Sequence, residues 1–311
     1  MPEPKTPVDQ KLIAELEPVV GELFERHLSR SKEWFPHELV PYSRGHDFAP
    51  GEEWDASQTP FDESVRSALY VNLLTEDNLP YYFQTIEGMF GSDNAWGAWN
   101  RRWTAEEGRH SIVIRDYLTV TRAIDPVELE RARMAQVSRG EVPQPGSVAD
   151  GIAYVALQEL ATRISHHNTG KKLKNTGDDV GNEIMKRVGN DENFHYLLYR
   201  DLGTAALKLD PSAMIIAINQ QVADFEMPGT GIIDFGNHAK KIAEAGIYDY
   251  QIHHDDIIKP VLFSHWKVDK LEGLTPEAEA AQEHLLKYVR RLGIAARRLS
   301  ERKAEKAEPP V

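Results

Sequence analysis

One short pattern, Glu-x-x-His, occurs at Glu107-x-x-His110 and again at Glu192-x-x-His195, and each copy trails a lone glutamate, Glu76 and Glu159. On a helix, positions i and i+3 share a face, so each pattern offers a carboxylate and an imidazole to one point. A chain with 12 histidines yields roughly one such pair by chance, so the pair alone decides little. The arrangement decides more. Glu76 and Glu107 are 31 residues apart and Glu159 and Glu192 are 33 apart, each the length of half a helix, a turn and half a helix back. The second set follows the first by 83 to 85 residues, as though one helical hairpin were used twice across a long crossover. Six such side chains on four helices make a dinuclear iron site.

Four carboxylates and two imidazoles form a hard, oxygen-rich donor set that suits iron or manganese better than structural zinc. Two Fe(II) ions balance four ionised glutamates, so the reduced centre is neutral and can be buried. Without metal, the four carboxylates are expected to have raised pKa values and to loosen the bundle. Trp96, Trp99, Trp103, Glu107 and His110 fall on one helical stripe, either an electron route to the metals or a bulky core. Asp191 and His166 are candidate partners of the ligating imidazoles, or ordinary polar residues. Thr162, three after Glu159, either points its hydroxyl at the metals to assist oxygen activation or bonds its own backbone.

The elements that must position these groups are helical. Periodicity gives an amphipathic helix over 8–30 and four long helices over 62–89, 95–123, 147–172 and 178–206, with a shorter one over 126–138 in the crossover. Asp93 or Asn94 caps the second long helix and Ser147 the third. Pro80, four residues after Glu76, removes the partner of the Glu76 carbonyl and should bend its helix. Residues 34–60, rich in Pro and Trp, read as a strap over the bundle. Further helices are expected over 211–225, 237–246 and 275–303, around a turn-rich stretch from Met227 to Phe235. The fold class is all-α: a single domain over 1–311 built on a ferritin-like four-helix bundle at 62–206, with the helix and strap at 8–60, helices at 211–303 and a frayed tail at 304–311.

Composition narrows the function. No cysteine means no disulfide, thiolate chemistry or cysteine-bound iron–sulfur cluster, so electrons must come from outside. The glycines from Gly229 to Gly236 have the wrong spacing for a dinucleotide loop, and no NAD, flavin or haem is expected beside two iron ions. No apolar run reaches membrane-spanning length and no secretory leader opens the chain, so a cytoplasmic protein without a membrane partner is expected. A formal charge of −13 argues against nucleic acid. An acidic protein partner needs a local basic patch, for which Arg26, Arg30 and Lys32, or Lys171, Lys172 and Lys174, are candidates against the reading of solvated faces.

The strings LLTEDNLPYY, WTAEEGRH, LQELATRISHHNT, DENFH and HWKVDKLEGL resemble, in order, those of the soluble acyl-acyl-carrier-protein desaturases, over residues 12 to 298. The resemblance implies that Glu76, Glu107, His110, Glu159, Glu192 and His195 are iron ligands and that Thr162 lies beside the oxygen site. It also implies a homodimer that takes electrons from a ferredoxin and uses O2 to place a cis double bond in an acyl chain carried by acyl carrier protein. Departures from the pattern are Gly108 for Asn, Asn193-Phe194 for Lys-Arg, and Leu160 for Arg. Other diiron oxygenases, such as hydroxylases and N-oxygenases, and a non-catalytic iron- or carrier-binding relative share the architecture. A radical-storing reductase subunit is disfavoured because Ile114 stands where its Tyr is expected.

Overall fold

The computed structural model describes residues 5–227, 229 and 231–307, and every regular element among them is helical. Thr6 opens α1 (Pro7–Arg30) with a capping box: its hydroxyl accepts from the Asp9 amide while Asp9 accepts from the Thr6 amide. The predicted helix over 62–89 is two helices, α3 (Glu63–Glu76) and α4 (Leu79–Phe90), after a short α2 (Pro36–Leu39). Pro80 falls in the first turn of α4, where a missing N–H has no helical partner to lose, so the chain breaks at Asp77–Asn78 instead of bending. The buried Asn78 side chain donates to the Glu141 carbonyl (3.1 Å) and fixes the break.

The remaining long elements are α5 (Asn94–Val120), α6 (Pro126–Arg139), α7 (Val148–Asn175) and α8 (Asp179–Leu209). Ser147 caps α7 by accepting from the Asp150 amide, and Asp178 caps α8 by accepting from that of Gly181. Asp93 precedes α5 without a side-chain cap bond. Helices α3, α5, α7 and α8 form the bundle, with α7 against α8 as its most extensive pair and α1 laid over α5 and α8. Trp34, at the start of the strap, is buried, and α2 rests on α5 and α8.

Beyond the bundle come α9 (Pro211–Ala223), α10 (Phe235–Glu244), α11 (Tyr250–Ile252) and α12 (Pro276–Ala307). The predicted tail at 304–311 overlaps α12, which continues through Ala307, while 308–311 lie outside the described residues. The sequence reading leaves 247–274 unassigned, yet α11 runs on as helix through His253–Ile258 and Pro260–His265. Pro260 lies within this run, where the backbone accommodates it by widening to π-type turns. The segment is locked to α8 by Trp266, whose Nε1 donates to the Arg200 carbonyl (2.9 Å) while its ring fills the space where a Cβ on Gly203 would sit.

The apolar interior divides into two principal clusters. One contains Trp99, Trp103, Leu157 and Leu198; the other contains Leu73, Val113, Leu173 and Val188. Along α5 and α8 the candidate ligands fall between these two blocks, and on α7 Glu159 lies near the end of the first, so the site is a polar layer with apolar packing on either side. A charged group there has no access to bulk water and must find partners inside.

Candidate metal centre

The six residues singled out by spacing converge from four helices: Glu76 from the last position of α3, Glu107 and His110 from α5, Glu159 from α7, Glu192 and His195 from α8. All six are buried. They fall into two overlapping groups, Glu76–Glu107–His110–Glu192 and Glu107–Glu159–Glu192–His195, with candidate ligand atoms in each group within 4.8 Å of one another. Glu107 and Glu192 belong to both. Such an arrangement could hold two neighbouring cations, with Glu107 and Glu192 available to both and one further glutamate and one imidazole on each side.

Both imidazoles turn Nδ1 inward. His110 Nδ1 lies 3.3 Å from Glu107 and 3.5 Å from Glu192, and His195 Nδ1 lies 2.8 Å from Glu107 and 3.5 Å from Glu159. These contacts are close but out of line for hydrogen bonding: His110 Nδ1, His195 Nδ1, Glu107 Oε1 and Glu159 Oε2 are buried with no hydrogen-bond partner. Four unpartnered atoms that can each present a lone pair, two imidazole nitrogens and two carboxylate oxygens, are costly in a dry interior. Cations bound between them would satisfy these atoms, and the donor set fits iron.

Outward, the two Nε2 atoms meet carboxylates. His195 Nε2 lies 2.9 Å from Glu106, which also holds His27 (2.9 Å) and Arg102 (2.6 Å). His110 Nε2 lies 3.4 Å from Asp191, which accepts from Trp34 Nε1 and Arg109 at 2.9 Å each. Asp191 is thus beside an imidazole, as the sequence reading allows. Glu106, His27, Trp34 and Arg109 are missed by it. A signal for Glu106 exists, because both motifs are preceded by an acid, Glu106-Glu107 and Asp191-Glu192. No local spacing points to His27, which reaches the site from α1.

His166 lies beside the candidate ligands but faces carboxylates and not an imidazole. Its Nε2 sits 3.3 Å from Glu76 and 3.5 Å from Glu192, and the Asn72 side-chain amide lies 3.2 Å from its Nδ1. A position seven residues after Glu159 returns to the same face of α7, and from there the ring spans to α3 and α8. Thr162 Oγ lies 3.0 Å from Glu192 and 3.1 and 3.2 Å from the carbonyls of Glu159 and Gln158, so one proton has three acceptors. Trp103 Nε1 donates to Glu159 (3.0 Å), Trp99 Nε1 to Tyr199 (3.2 Å) and Trp96 Nε1 to the Ile13 carbonyl (3.0 Å). Of the stripe, Trp103 alone bonds directly to a candidate ligand.

The expected rise in carboxylate pKa values occurs at two of the four glutamates. Burial and the charge of Glu192 push Glu107 and Glu159 up. Burial also acts on Glu76 and Glu192, but the nearby imidazoles of His110 and His166 outweigh it and hold both below the usual range. The imidazoles answer in kind. Burial favours neutral His110 and His195, yet the surrounding carboxylates win and raise both well above the ordinary value. In the metal-free protein the site therefore neutralises itself by taking protons.

Two cavities meet at Thr75, Glu76 and Thr162. One extends between α4, α5 and α7 past Tyr82, Ile86 and Val155; the other runs between α3, α7 and α10 past Val71, Phe235 and Ile242. The departures from the family pattern are accommodated: a Cβ on Gly108 meets only Leu79 at 3.9 Å, Leu160 joins the apolar core, and Phe194 stands edge-on to His27 at 6.1 Å.

Comparison with known proteins agrees with this geometry. The family model described as fatty acid desaturase matches residues 9–310. A Mycobacterium tuberculosis protein named as acyl-acyl-carrier-protein desaturase DesA1 is 41% identical over 92% of this chain and 87% of its own. The chloroplastic stearoyl-acyl-carrier-protein 9-desaturase of Ricinus communis is 30% identical over 84% of this chain and 71% of its own. Among solved structures, the acyl-acyl-carrier-protein desaturase DesA2 of Mycobacterium tuberculosis H37Rv superimposes with a TM-score of 0.68 at 27% identity, over 87% of this chain and 99% of that one. From its sequence motifs, its helical bundle and these relatives, the chain belongs to the fatty acid desaturase family, among the acyl-acyl-carrier-protein desaturases.

Proposed function

We propose that this protein desaturates a fatty acyl chain bound to acyl carrier protein, using O2, two iron ions per chain and electrons from a ferredoxin-type donor. The observation that carries the reading is the sharing of Glu107 and Glu192 between two buried four-residue groups, at the meeting point of two cavities. Glu76, His110, Glu159 and His195 would complete the two iron sites; the iron, when bound, supplies O2 activation and a two-electron oxidation. The reaction balances when one O2, two electrons and two protons are consumed for each pair of hydrogens removed, with two waters formed.

The chain's own residues set the conditions. The apolar walls at Tyr82, Ile86 and Val155 suit an acyl chain and exclude water from it. Thr162, with Glu192 as one of three acceptors, holds a proton at the cavity junction, where reacting oxygen would stand. Glu106 and Asp191 orient the two imidazoles and keep their Nδ1 atoms facing inward. A homodimeric, cytoplasmic protein belongs to the same reading, supported by the family resemblance; no helix among the described residues is long and apolar enough to cross a membrane.

The test is incubation of the iron-loaded protein with a series of acyl carrier proteins, O2 and reduced ferredoxin, followed by product mass and double-bond mapping. Loss of two hydrogens is expected. Gain of one oxygen atom would instead identify a hydroxylase or N-oxygenase, and absence of any product with all chain lengths would leave a binding protein.

A further inference from the structure

The chain is strongly acidic overall, −13, yet between Lys287 and Lys303 it carries seven basic residues and one acid, Glu301. This stretch is the second half of α12, whose opposite face is buried through Leu285, Val289 and Ala296. At about 100° per residue, Arg290, Arg291, Arg297, Arg298 and Arg302 fall within roughly 140° of the circumference, around Ile294, with Lys287 and the one acid, Glu301, on the same face about 20° to either side of it. All five arginines are exposed, and Ile294 is 49% exposed at the centre of them. Among the described residues none of the five forms an ion pair with a carboxylate, unlike Arg26, which is held by Asp201 at 2.5 Å. A helix face of this kind, six cations against Glu301 around the exposed Ile294, is net positive and matches an acidic partner that presents an apolar side chain.

Its place in the fold selects the partner. Helix α10 stands between α12 and the deep cavity: Ala239 and Ile242 line the cavity that reaches Glu76, while Lys240 and Ala243 line a groove shared with Leu299 and Arg302 of α12. Lys303 ties the two helices by donating to the Ala243 carbonyl (2.6 Å). The packing of α12 is chiefly against α9 and the α11 segment, so it offers a poor path for electrons to the ligand helices. Two copies of this face would repel each other, which disfavours it as a symmetric interface.

The geometry points to the basic face of α12 as the docking surface for the acyl carrier protein, which seats an acidic helical surface on Arg290, Arg291, Arg297 and Arg298 and delivers its acyl chain past α10. This rests on the proposed function and adds to it where the carrier binds. The test replaces these four arginines together with Gln, and in a second variant with Lys, both compatible with an exposed helix. Turnover is measured against acyl carrier protein and against ferredoxin, and carrier binding is followed separately by fluorescence anisotropy across a salt series. The Gln variant is expected to raise the KM for the carrier about ten-fold or more with kcat within about two-fold, to leave the KM for ferredoxin unchanged and to flatten the salt dependence. The Lys variant should keep near-normal binding. An unchanged carrier KM and affinity in the Gln variant overturns the proposal, as does a shift in the ferredoxin KM alone, loss of binding to anionic vesicles with carrier affinity intact, or conversion of a dimer to monomer. If the wild-type protein turns over no carrier-bound substrate, the proposed function falls and the anisotropy titration still decides the surface.

Discussion

Around His110 and around His195 the same construction is repeated: Nδ1 faces the shared carboxylates, and Nε2 faces the acid that precedes the opposite motif's glutamate. The surroundings then diverge. Glu159 sits in the middle of the unbroken α7 and is bonded by Trp103, and His195 is backed by Glu106, itself held by His27 and Arg102. Glu76 ends α3 at a helix break, has no tryptophan donor, and faces His166 across 3.3 Å, while His110 meets Asp191 at the longer distance of 3.4 Å. The difference separates a stiff half from one whose carboxylate has room to reorient. A centre that must bind and release oxygen species benefits from one adjustable ligand without loosening the rest.

The sharpest way to break the comparison is to remove what both halves share. Glu107→Gln is expected to abolish iron binding in both sites and all turnover with helix content preserved, checked by metal analysis and circular dichroism; His195→Ala should do the same. Retention of two irons per chain by either variant contradicts the ligand assignment. The next test separates the halves. Glu106→Gln and Asp191→Asn keep the shape of each outer partner but remove its charge, and such changes typically cost about 10- to 100-fold in metal affinity. Glu106→Gln should stand at the upper end and Asp191→Asn at the lower, because Glu106 makes the shorter bond and binds an additional imidazole. Equal losses in a competitive chelator titration would erase the distinction between the halves.

A smaller effect is expected at the junction of the cavities. Thr162→Val keeps the shape of the side chain and removes its proton from Glu192. Iron content should be unchanged, while product formed per O2 falls roughly ten-fold, the equivalent of one weak hydrogen bond to a charged group, with the balance appearing as peroxide. Unchanged coupling would return Thr162 to the role of a core residue bonded to its own backbone.

The bundle and the six inward groups were legible because helical spacing is local and the two hairpins repeat it. The outer partners were less so. His27 and Trp34 reach Glu106 and Asp191 from segments 79 and 157 residues away, and nothing in their own neighbourhoods marks them. The break after Glu76 was foreseen as a bend, because Pro80 announces a lost hydrogen bond without saying whether the helix continues beyond it. The helix through Pro260 was hidden for the reverse reason: widened turns let it survive a residue that ordinarily ends one. The sign of each carboxylate's pKa shift also escaped the sequence, since it depends on which glutamates face His166.

A histidine outside the centre sharpens the account of those inside it. His253, in the α11 segment, is also buried, at 8% exposed against 0% for His110 and His195, but faces no carboxylate among the described residues: Tyr248 lies 2.8 Å from its Nδ1 and Phe225 lies 4.8 Å from its ring. Burial, with a minor push from His254, lowers its pKa to about 4, whereas His166, opposed by deeper burial, is raised to about 9 by Glu192 and Glu76. Because the folded value at His253 lies below the unfolded one, its neutral form stabilises the fold above pH 6.5. That contribution is lost as pH falls from there toward 4, since the unfolded chain takes up the proton first. Between pH 7 and pH 5.5 the loss should amount to about 1 kcal/mol. His253→Gln can still accept from Tyr248 but does not titrate, so the variant should show a shallower decline in chemical-denaturation stability over this interval, with iron content and turnover unchanged. Parallel wild-type and variant curves would mean that His253 is as free to protonate as a surface histidine, and that carboxylate contact alone does not set the imidazoles of the centre apart.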